Sequence, residues 1–365
     1  MNDINKIQNN IKTDISRKTV YCETSFWNRY LEDFWSLYQD KNRRSEAEFF
    51  NYLLKAMSKC DIVFDKMMNF DNDEYGEDGN LKDLRRRATQ GECSVWIEDE
   101  EHPFPLINNS MDESSAEQYY NSVILSSSEV SSDVIKRYGL IVINPSNWPE
   151  SSYLFKDTGC SADGSIQGWS SLLTGIRDNC NSMVVIDNYI FNNTRQNLYE
   201  ILKILLPDEL DIKFHLNIYG KQKKRKNEKT GQEEPIPVSR LKRWLDDFLR
   251  KNKPNLNVET TIIEINDIPT QTEGPKLKIH DRIILTNNMW LECPSGFDLF
   301  IKKDVKGTNL IEINTKETKT YVLYPFMQNV SNHCESDYKN NLNAIYNRSD
   351  TLARKNRLFR FLEST

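Results

Sequence analysis

The residues best suited to chemistry lie in the stretch 278–298, which contains His280, Arg282 and Asn287. Side chains two apart on a strand point the same way, so His280 and Arg282 are expected to share a face. A guanidinium can bind two phosphate oxygens at once, and a neighbouring imidazole can attack phosphorus or hold a proton. Asn287 falls where the strand should end and offers an amide donor. The spacing therefore predicts a phosphate site, and the alternative is a structural ion pair within His-Asp-Arg.

This spacing resembles the signature of the phospholipase D (PLD) superfamily, H-x-K-x-x-x-x-D. His280 takes the place of the histidine, Arg282 that of the lysine and Asn287 that of the aspartate. The wider string, which continues through Trp290 to Gly-Phe-Asp at 296–298, is similar to the PLD-like C-terminal module of MIT-domain proteins. A second block at 186–198 resembles the opening strand and helix of that module. The resemblance covers residues 170–330.

The resemblance implies two different roles for the site. Active members of the superfamily use two histidines on two signature copies, one as nucleophile and one as acid. This chain has one copy, because His215 is followed by Asn217 where the lysine would stand, so a homodimer partner would have to supply the other. The MIT-associated module is regarded as non-catalytic and binds acidic phospholipid. Either role needs no cofactor at this site, and whether the chain is an enzyme stays open.

Two further features are candidates for ligand binding in the second half of the chain. Asp187 follows a predicted strand, where it either orients His280 or Arg282 or forms an Asx turn. A basic run could meet nucleic-acid phosphates or an anionic membrane, or be a solvated hairpin loop. The residues proposed for binding in this run are Lys221, Lys223, Lys224, Arg225 and Lys226.

In the first half, the segment 19–28 resembles the first strand and turn of PIN-like ribonucleases. Those enzymes carry an acidic residue at this turn, normally Asp, and collect carboxylates around Mg²⁺ or Mn²⁺. Hard cations prefer several oxygen ligands, and a metal clamp assists phosphoryl cleavage. The resemblance makes Glu23 the first metal ligand, with Glu117 and Asp133 as further candidates. The alternative is that Glu23 is an ordinary acidic residue in the first turn of a helix.

Composition limits the function classes. The chain has 365 residues, a length typical of two domains. Its formal net charge is −6. Seven cysteines without a close C-x-x-C pair argue against a disulfide framework or a cysteine-rich zinc site, which favours a reducing cytoplasm. No apolar run approaches the roughly 20 residues of a spanning helix, and we expect no transmembrane segment and no secretory signal.

The elements that must position these residues alternate between strands and helices. The pattern predicts an α/β protein with two domains, each a mixed sheet with flanking helices. Residues 1–150 form the first domain, which has the PIN-like segment, and residues 165–330 form the PLD-like domain. A helical tail is expected at 331–365. Strands are predicted at 19–22, 61–64, 138–144, 183–186, 212–219, 258–265 and 279–286, and helices at 26–38, 45–57, 81–89, 194–206 and 239–251.

These features favour a cytoplasmic effector of bacterial conflict or anti-phage defence that acts on phosphodiesters, as a nuclease or a nucleic-acid-binding protein. The defence role is implied by the family resemblance alone. The alternative is a non-catalytic module that binds a phosphate ligand, a lipid headgroup or a partner protein. A third hypothesis places metal-dependent catalysis in the first half, at Glu23. Nucleic acid, a second copy of the chain and a partner protein are the expected partners.

Overall fold

The structure is a computed structural model, and it places most of the predicted strands and helices. It describes residues 19–32, 34–57, 60–68, 79–105, 111–120, 122–128, 137–144, 155–157, 180–187, 195–220, 224–264, 282–287, 289–293, 300–305, 308–313, 319–322 and 355–359.

The first half of the chain forms a five-stranded sheet, sheet A. Its strands are β1 (Thr19–Cys22), β2 (Asp61–Phe64), β3 (Val95–Ile97), β4 (Val123–Leu125) and β5 (Ile141–Ile143). The strand order is β3-β2-β1-β4-β5, and every neighbouring pair is parallel. Strands β2, β4 and β5 consist almost entirely of buried apolar side chains, as expected for a sheet covered on both faces. The mixed sheet predicted for this half is therefore wrong in its strand directions.

Helices connect the strands of sheet A. They are α1 (Thr24–Phe26), which continues as a π-helical turn (Trp27–Leu31), α2 (Phe34–Gln39), α3 (Arg44–Met57), α4 (Asn80–Thr89) and α5 (Glu113–Glu117). The predicted helix over 26–38 is thus two helices with a π-helical turn between them. The carboxylate of Glu32 accepts hydrogen bonds from Trp27 Nε1 at 2.6 Å and from the Leu81 N–H at 2.9 Å. It thereby satisfies a donor in the first turn of α4 and ties that helix to the one after β1.

The second half forms a seven-stranded mixed sheet, sheet B. Its strands are β6 (Phe155–Asp157), β7 (Ser182–Ile186), β8 (Phe214–Gly220), β11 (Val258–Glu264), β12 (Arg282–Thr286), β13 (Met289–Cys293) and β16 (Lys319–Val322), in the order β11-β8-β7-β12-β13-β16-β6. Strands β11, β8 and β7 are parallel, and the remaining pairs are antiparallel. Strand β6 comes from the segment that the sequence suggested as a domain boundary.

Two helices and two hairpins complete the described part of this half. Helix α6 (Arg195–Leu205) connects β7 to β8, and helix α7 (Val238–Asn252) precedes β11. Rings of Tyr199 and Phe248 stack at 4.3 Å between centroids, so the two helices pack side by side. The hairpins are β9 (Lys224–Lys226) with β10 (Glu233–Pro235), and β14 (Phe300–Val305) with β15 (Thr308–Ile313).

The two sheets meet at a buried polar cluster, which we call the junction: Gly139, Asn181 and Asn287. Gly139 O accepts hydrogen bonds from Asn181 Nδ2 at 3.1 Å and from Asn287 Nδ2 at 3.2 Å. Asn287 Oδ1 accepts from the Asn181 N–H at 2.9 Å. Buried polar groups need partners, so these bonds fix how the two sheets meet. One hydrophobic cluster also contains side chains from both halves.

A 3₁₀ turn at Arg357–Phe359 packs onto this region. The Arg357 guanidinium donates to the carbonyl oxygens of Asn181 and Lys213 and lies 4.7 Å from the centre of the Tyr120 ring. Asn356 Nδ2 donates to Met183 O at 3.1 Å. The turn therefore contacts backbone of β7 and the loop before β8, together with a ring from the first half. The remainder of the predicted helical tail lies outside the described residues.

None of the helices described is both long enough and apolar enough to cross a membrane. The α/β class and the arrangement of two helix-flanked sheets agree with the prediction from sequence.

Candidate functional site

Sheet B brings two of the predicted site residues to one edge. Strands β7 and β8 end there, and antiparallel β12 begins there. Ile283 pairs with Ile186, so one position further along the register the backbone of Arg282 stands opposite Asp187. Side-chain detail of Arg282 lies outside the described residues, as does all of His280. Of the predicted site, the structure therefore describes the backbone at the start of β12 and the side chain of Asp187.

Asp187 is a buried carboxyl group, with 1% of its surface exposed. Its N–H donates to Tyr219 O at 2.9 Å, which extends the pairing of β7 with β8 by one residue. On β8, the Asn217 amide donates to the Tyr219 hydroxyl at 3.4 Å, and both residues are 2% exposed. In the sequence, Asn217 is notable only as a departure from the PLD signature. Asn217 lies on the face of β8 opposite the apolar side chains at 214, 216 and 218, so alternation alone did not indicate that it is buried.

Two helix N-termini point toward the same edge of sheet B. Because β7 and β8 are parallel neighbours, α6 must run back across the sheet and begin near the end of β7. The same reasoning places the start of α7 near the end of β8, since β8 and β11 are parallel. Helix N-termini carry a partial positive charge. The first two turns of α7 add Arg240, Lys242 and Arg243, all exposed. This edge is therefore suited to anions.

The basic run becomes a hairpin that follows the end of β8. Lys224 and Lys226 are exposed on β9, whereas Lys221 and Lys223 lie outside the described residues, as does the side chain of Arg225. Acidic strand β10 pairs with it, so that Glu233 stands opposite Lys226. Opposite charges across an antiparallel pair stabilise the hairpin and reduce its net positive charge. The positive charge of β9 is thus partly neutralised by the glutamates of β10.

Asn287 lies at the far end of β12 from Arg282, in the junction. It is 1% exposed, and both its amide nitrogen and its amide oxygen bond to backbone groups of other segments. The structure therefore gives this residue a role in holding the two sheets together. Its predicted role as a donor to phosphate stays a prediction. His215 is also at that end of sheet B, in the second position of β8, about 15 Å along the strand from Tyr219 and Gly220.

Sheet A has its own candidate edge. Parallel strands β2 and β4 lie on either side of β1, and such a reversal of strand order opens a crevice at the carboxyl ends of the strands. Glu23 follows β1 at this position. Its Oε1 accepts from Ser126 Oγ at 2.6 Å, and its Oε2 accepts from the N–H and the Oγ of Ser127, both at 2.7 Å. Ser25 Oγ is 2.6 Å from Ser127 Oγ. The serines were not predicted, because β4 itself was missed.

A second carboxylate lies on the neighbouring strand. Asp65 follows β2, and its Oδ1 accepts from the N–H and the Oγ1 of Thr24, both at 2.7 Å. It caps the helix that begins after Glu23. Burial and the charges of Asp65 and Glu23 raise the pKa of the Cys22 thiol well above its ordinary value. Cys22 is therefore a packing residue, not a nucleophile.

The metal site predicted at Glu23 is assembled only in part. Within the ranges that the structure describes, no three His, Cys, Asp or Glu side chains come together as a metal-binding group. Glu117 is exposed at the end of α5, which leads into the amino end of β4, and Asp133 lies outside the described residues. Oxygen ligands suit Mg²⁺ or Mn²⁺, and Glu23 with Ser126 and Ser127 supplies such atoms at the crevice. The metal stays a prediction.

Comparison of the chain with models of known protein families finds no match, and neither does comparison with curated proteins. The resemblances noted in the sequence therefore rest on the quoted residues, and the α/β class rests on the strands and helices described here.

Proposed function

We propose that the protein acts on phosphodiesters of nucleic acid at the edge of sheet B where β7 and β8 end. The observation that carries the proposal is the strand register that sets the start of β12, at Arg282, opposite the buried Asp187. In α/β sheets, ligands bind beyond the carboxyl ends of the parallel strands. His280 precedes Arg282 by two residues, so in the sequence it is close to the start of β12.

The charges around the edge favour an anionic ligand. Two helices begin there, and exposed Arg240, Lys242 and Arg243 belong to the start of one of them. A duplex or single strand of nucleic acid would follow such a basic surface through its phosphates. Lys224 and Lys226 of the adjoining hairpin extend the surface, although the glutamates of β10 reduce their effect. We expect phosphate contacts mainly along α7.

In the proposed mechanism, Arg282 neutralises the charge of the phosphate, and His280 acts as nucleophile or as general acid. Asp187 positions one of these two side chains, through charge pairing in the buried edge. Asn287 lies five residues beyond Arg282 along β12, about 16 Å from this edge, so this mechanism gives it no contact with the phosphate. No cofactor is required by these steps. As an effector of this kind, the protein would belong to a bacterial conflict or anti-phage system.

The test compares four proteins: the wild type, His280→Ala, Arg282→Ala and Arg282→Lys. Each is incubated with end-labelled single-stranded DNA, double-stranded DNA and RNA in the presence of EDTA, and circular dichroism verifies the fold. We expect His280→Ala to abolish cleavage and keep binding, and Arg282→Ala to abolish binding. Arg282→Lys should retain binding, since lysine stands at this position of the signature. Cleavage by His280→Ala at the wild-type rate would contradict the assignment.

A non-catalytic version of the same site is the alternative. The single signature copy and the position of His215 at the far end of β8 favour binding without turnover. In that case the wild type binds a phosphate ligand, a lipid headgroup or a partner protein, and Arg282→Ala loses that binding although no substrate is cleaved. Increasing salt should weaken binding at this site whether or not cleavage follows.

A second candidate function is metal-dependent phosphodiester cleavage at sheet A. The observation that favours it is the position of Glu23 at the crevice between β1 and β4, within hydrogen-bonding distance of Ser126 and Ser127. Cleavage that requires Mg²⁺ or Mn²⁺, is lost in Glu23→Ala and is unchanged in His280→Ala would assign the activity to this crevice. Glu98→Ala is the matched control, because Glu98 is an exposed carboxylate after β3, which lies two strands from β1 in the same sheet.

A further inference from the structure

Strand β11 is an outer strand of sheet B. It is seven residues long and pairs in parallel with β8 along its whole length. Among the strands that the structure describes, no other pairs with its second side. Outer strands of soluble proteins are usually shortened or broken by lysine, proline or a bulge, because their free backbone groups can pair with another chain. Residues 258–264 contain neither lysine nor proline.

The backbone of β11 alternates between the two sides of the strand. The Phe214 N–H donates to Asn257 O at 2.8 Å, which fixes the phase of the pairing. In a parallel pair, the N–H and C=O of one residue point to the same side, and the next residue points to the other. Glu259, Thr261 and Ile263 therefore bond to β8. The outward groups belong to residues 258, 260, 262 and 264.

These four outward positions are symmetric about Thr261. If a second copy of β11 runs antiparallel with a two-fold axis at Thr261, position 260 meets 262 of the other copy and position 258 meets 264. In an antiparallel pair, residues of this kind exchange both of their hydrogen bonds. Thus every outward N–H and C=O of the strand finds a partner. A register shifted by one residue, with the axis between two residues, would set outward groups against inward ones.

Side chains on β11 are compatible with the same pairing. Glu259 would stand opposite Ile263 of the second copy, and Glu264 opposite Val258, so no like charges face each other. Glu259 already has an ion pair in its own chain, with Lys213 Nζ at 3.2 Å. Five of the seven residues are β-branched valine, isoleucine or threonine, which are favoured in strands. At the axis, Thr261 meets itself, and Thr–Thr pairs stabilise antiparallel strands.

We propose that two copies of this chain associate through antiparallel pairing of their β11 strands, which joins the two seven-stranded sheets into one. This proposal is independent of the proposed function. Because the pairing is antiparallel, the edges at which β7 and β8 end lie at opposite ends of the joined sheet. The dimer thus does not bring the start of β12 in one copy next to the start of β12 in the other.

The first test changes the residue on the axis. Thr261 is partly exposed and sits on the dyad, so Thr261→Lys sets two like-charged side chains opposite each other in the dimer, with Cβ atoms about 5 Å apart, and has no such effect in the monomer. Thr261→Gln is the matched neutral control. Sedimentation velocity of the full chain should show a dimer for the wild type and Thr261→Gln, with roughly tenfold weaker association for Thr261→Lys. A monomeric wild type, or equal association of all three proteins, would overturn the proposal.

The second test needs no variant. In the dimer, amide hydrogens of 260 and 262 are bonded to the second copy, whereas those of 259, 261 and 263 are bonded to β8. Residue-resolved hydrogen exchange should therefore show protection of 260 and 262 that falls on dilution, and protection of the other three that does not. Rapid exchange at 260 and 262 at every protein concentration would refute the pairing, whatever the stability of the Thr261 variants.

Discussion

Asn287→Asp tests the role of the junction at the position where the PLD signature carries aspartate. The change keeps the size of the side chain and replaces its amide donor with an oxygen. The Asn287 amide donates to Gly139 O at 3.2 Å and is 1% exposed. The variant would set a carboxylate oxygen against that carbonyl in a site shielded from water.

The expected loss of stability follows from two terms. Losing the hydrogen bond and leaving Gly139 O with one donor fewer costs about 1–3 kcal/mol. Burying a carboxylate without a cation adds about 1–3 kcal/mol, because part of the penalty is avoided by protonation. We therefore expect Asn287→Asp to lower the free energy of unfolding by about 3 kcal/mol at neutral pH, and Asn287→Ala by about 2 kcal/mol.

The pH dependence provides a sharper check. Burial raises the folded-state pKa of the introduced acid above its unfolded value of about 4. The folded variant then binds more protons than the unfolded chain, so its stability relative to wild type falls as pH rises between these two pKa values. A protonated acid can donate to Gly139 O as the amide does. The deficit should therefore be smallest near pH 4.

Urea unfolding of both proteins between pH 4 and 8, followed by tryptophan fluorescence, measures this difference. Asn257→Asp is the control, because Asn257 is exposed and the same change there should alter stability by less than about 0.5 kcal/mol. If Asn287→Asp is as stable as wild type at neutral pH, the stabilising role of Asn287 in the junction is contradicted.

Two further changes test other contacts. Gly139 has φ of +60°, and an added Cβ would lie 2.8 Å from Cys180 O, so Gly139→Ala should cost about 2 kcal/mol or more of unfolding free energy. Gly231→Ala, with φ of +69° and open space around the position, should cost about 1 kcal/mol, and equal losses would contradict the close approach. A hydrogen bond from Lys213 lowers the pKa of Glu259 below its ordinary value of 4.5. The stability that the Lys213–Glu259 ion pair contributes is present above that value and is lost as pH falls. Lys213→Met should therefore destabilise the protein at pH 7 and have little effect at pH 3. A stability difference that does not change with pH would refute this prediction.

Local patterns in the sequence were sufficient for the longer helices and for the seven strands predicted, of the sixteen that the structure describes. Strands β1 and β2 have the predicted bounds, and helix α7 differs by one residue at each end. Strands β3 and β4 were missed because each has only three residues, too few for a periodic signal. Strands β9 and β10 were not predicted, because their segment is charged and has no apolar pattern.

The candidate sites were predictable only in part, for a different reason. Glu23 could be identified because a carboxylate after a short apolar strand is a local feature. Its partners Ser126 and Ser127 are more than 100 positions away, and their proximity depends on a strand order that no local pattern encodes. Asn287 was singled out as a site residue from its spacing to His280, whereas the groups it bonds to come from two distant segments, at Gly139 and Asn181.

The 3₁₀ turn at Arg357–Phe359 has a consequence for biosynthesis. Arg357 bonds to carbonyl groups that are 144 and 176 positions earlier in the chain, and Asn356 to one that is 173 positions earlier. A ribosome must therefore translate nearly half of the printed sequence between the first of these partners and the turn. Closing so long a loop is slow, and nascent chains that stop before residue 355 would expose this part of β7 to chaperones and proteases.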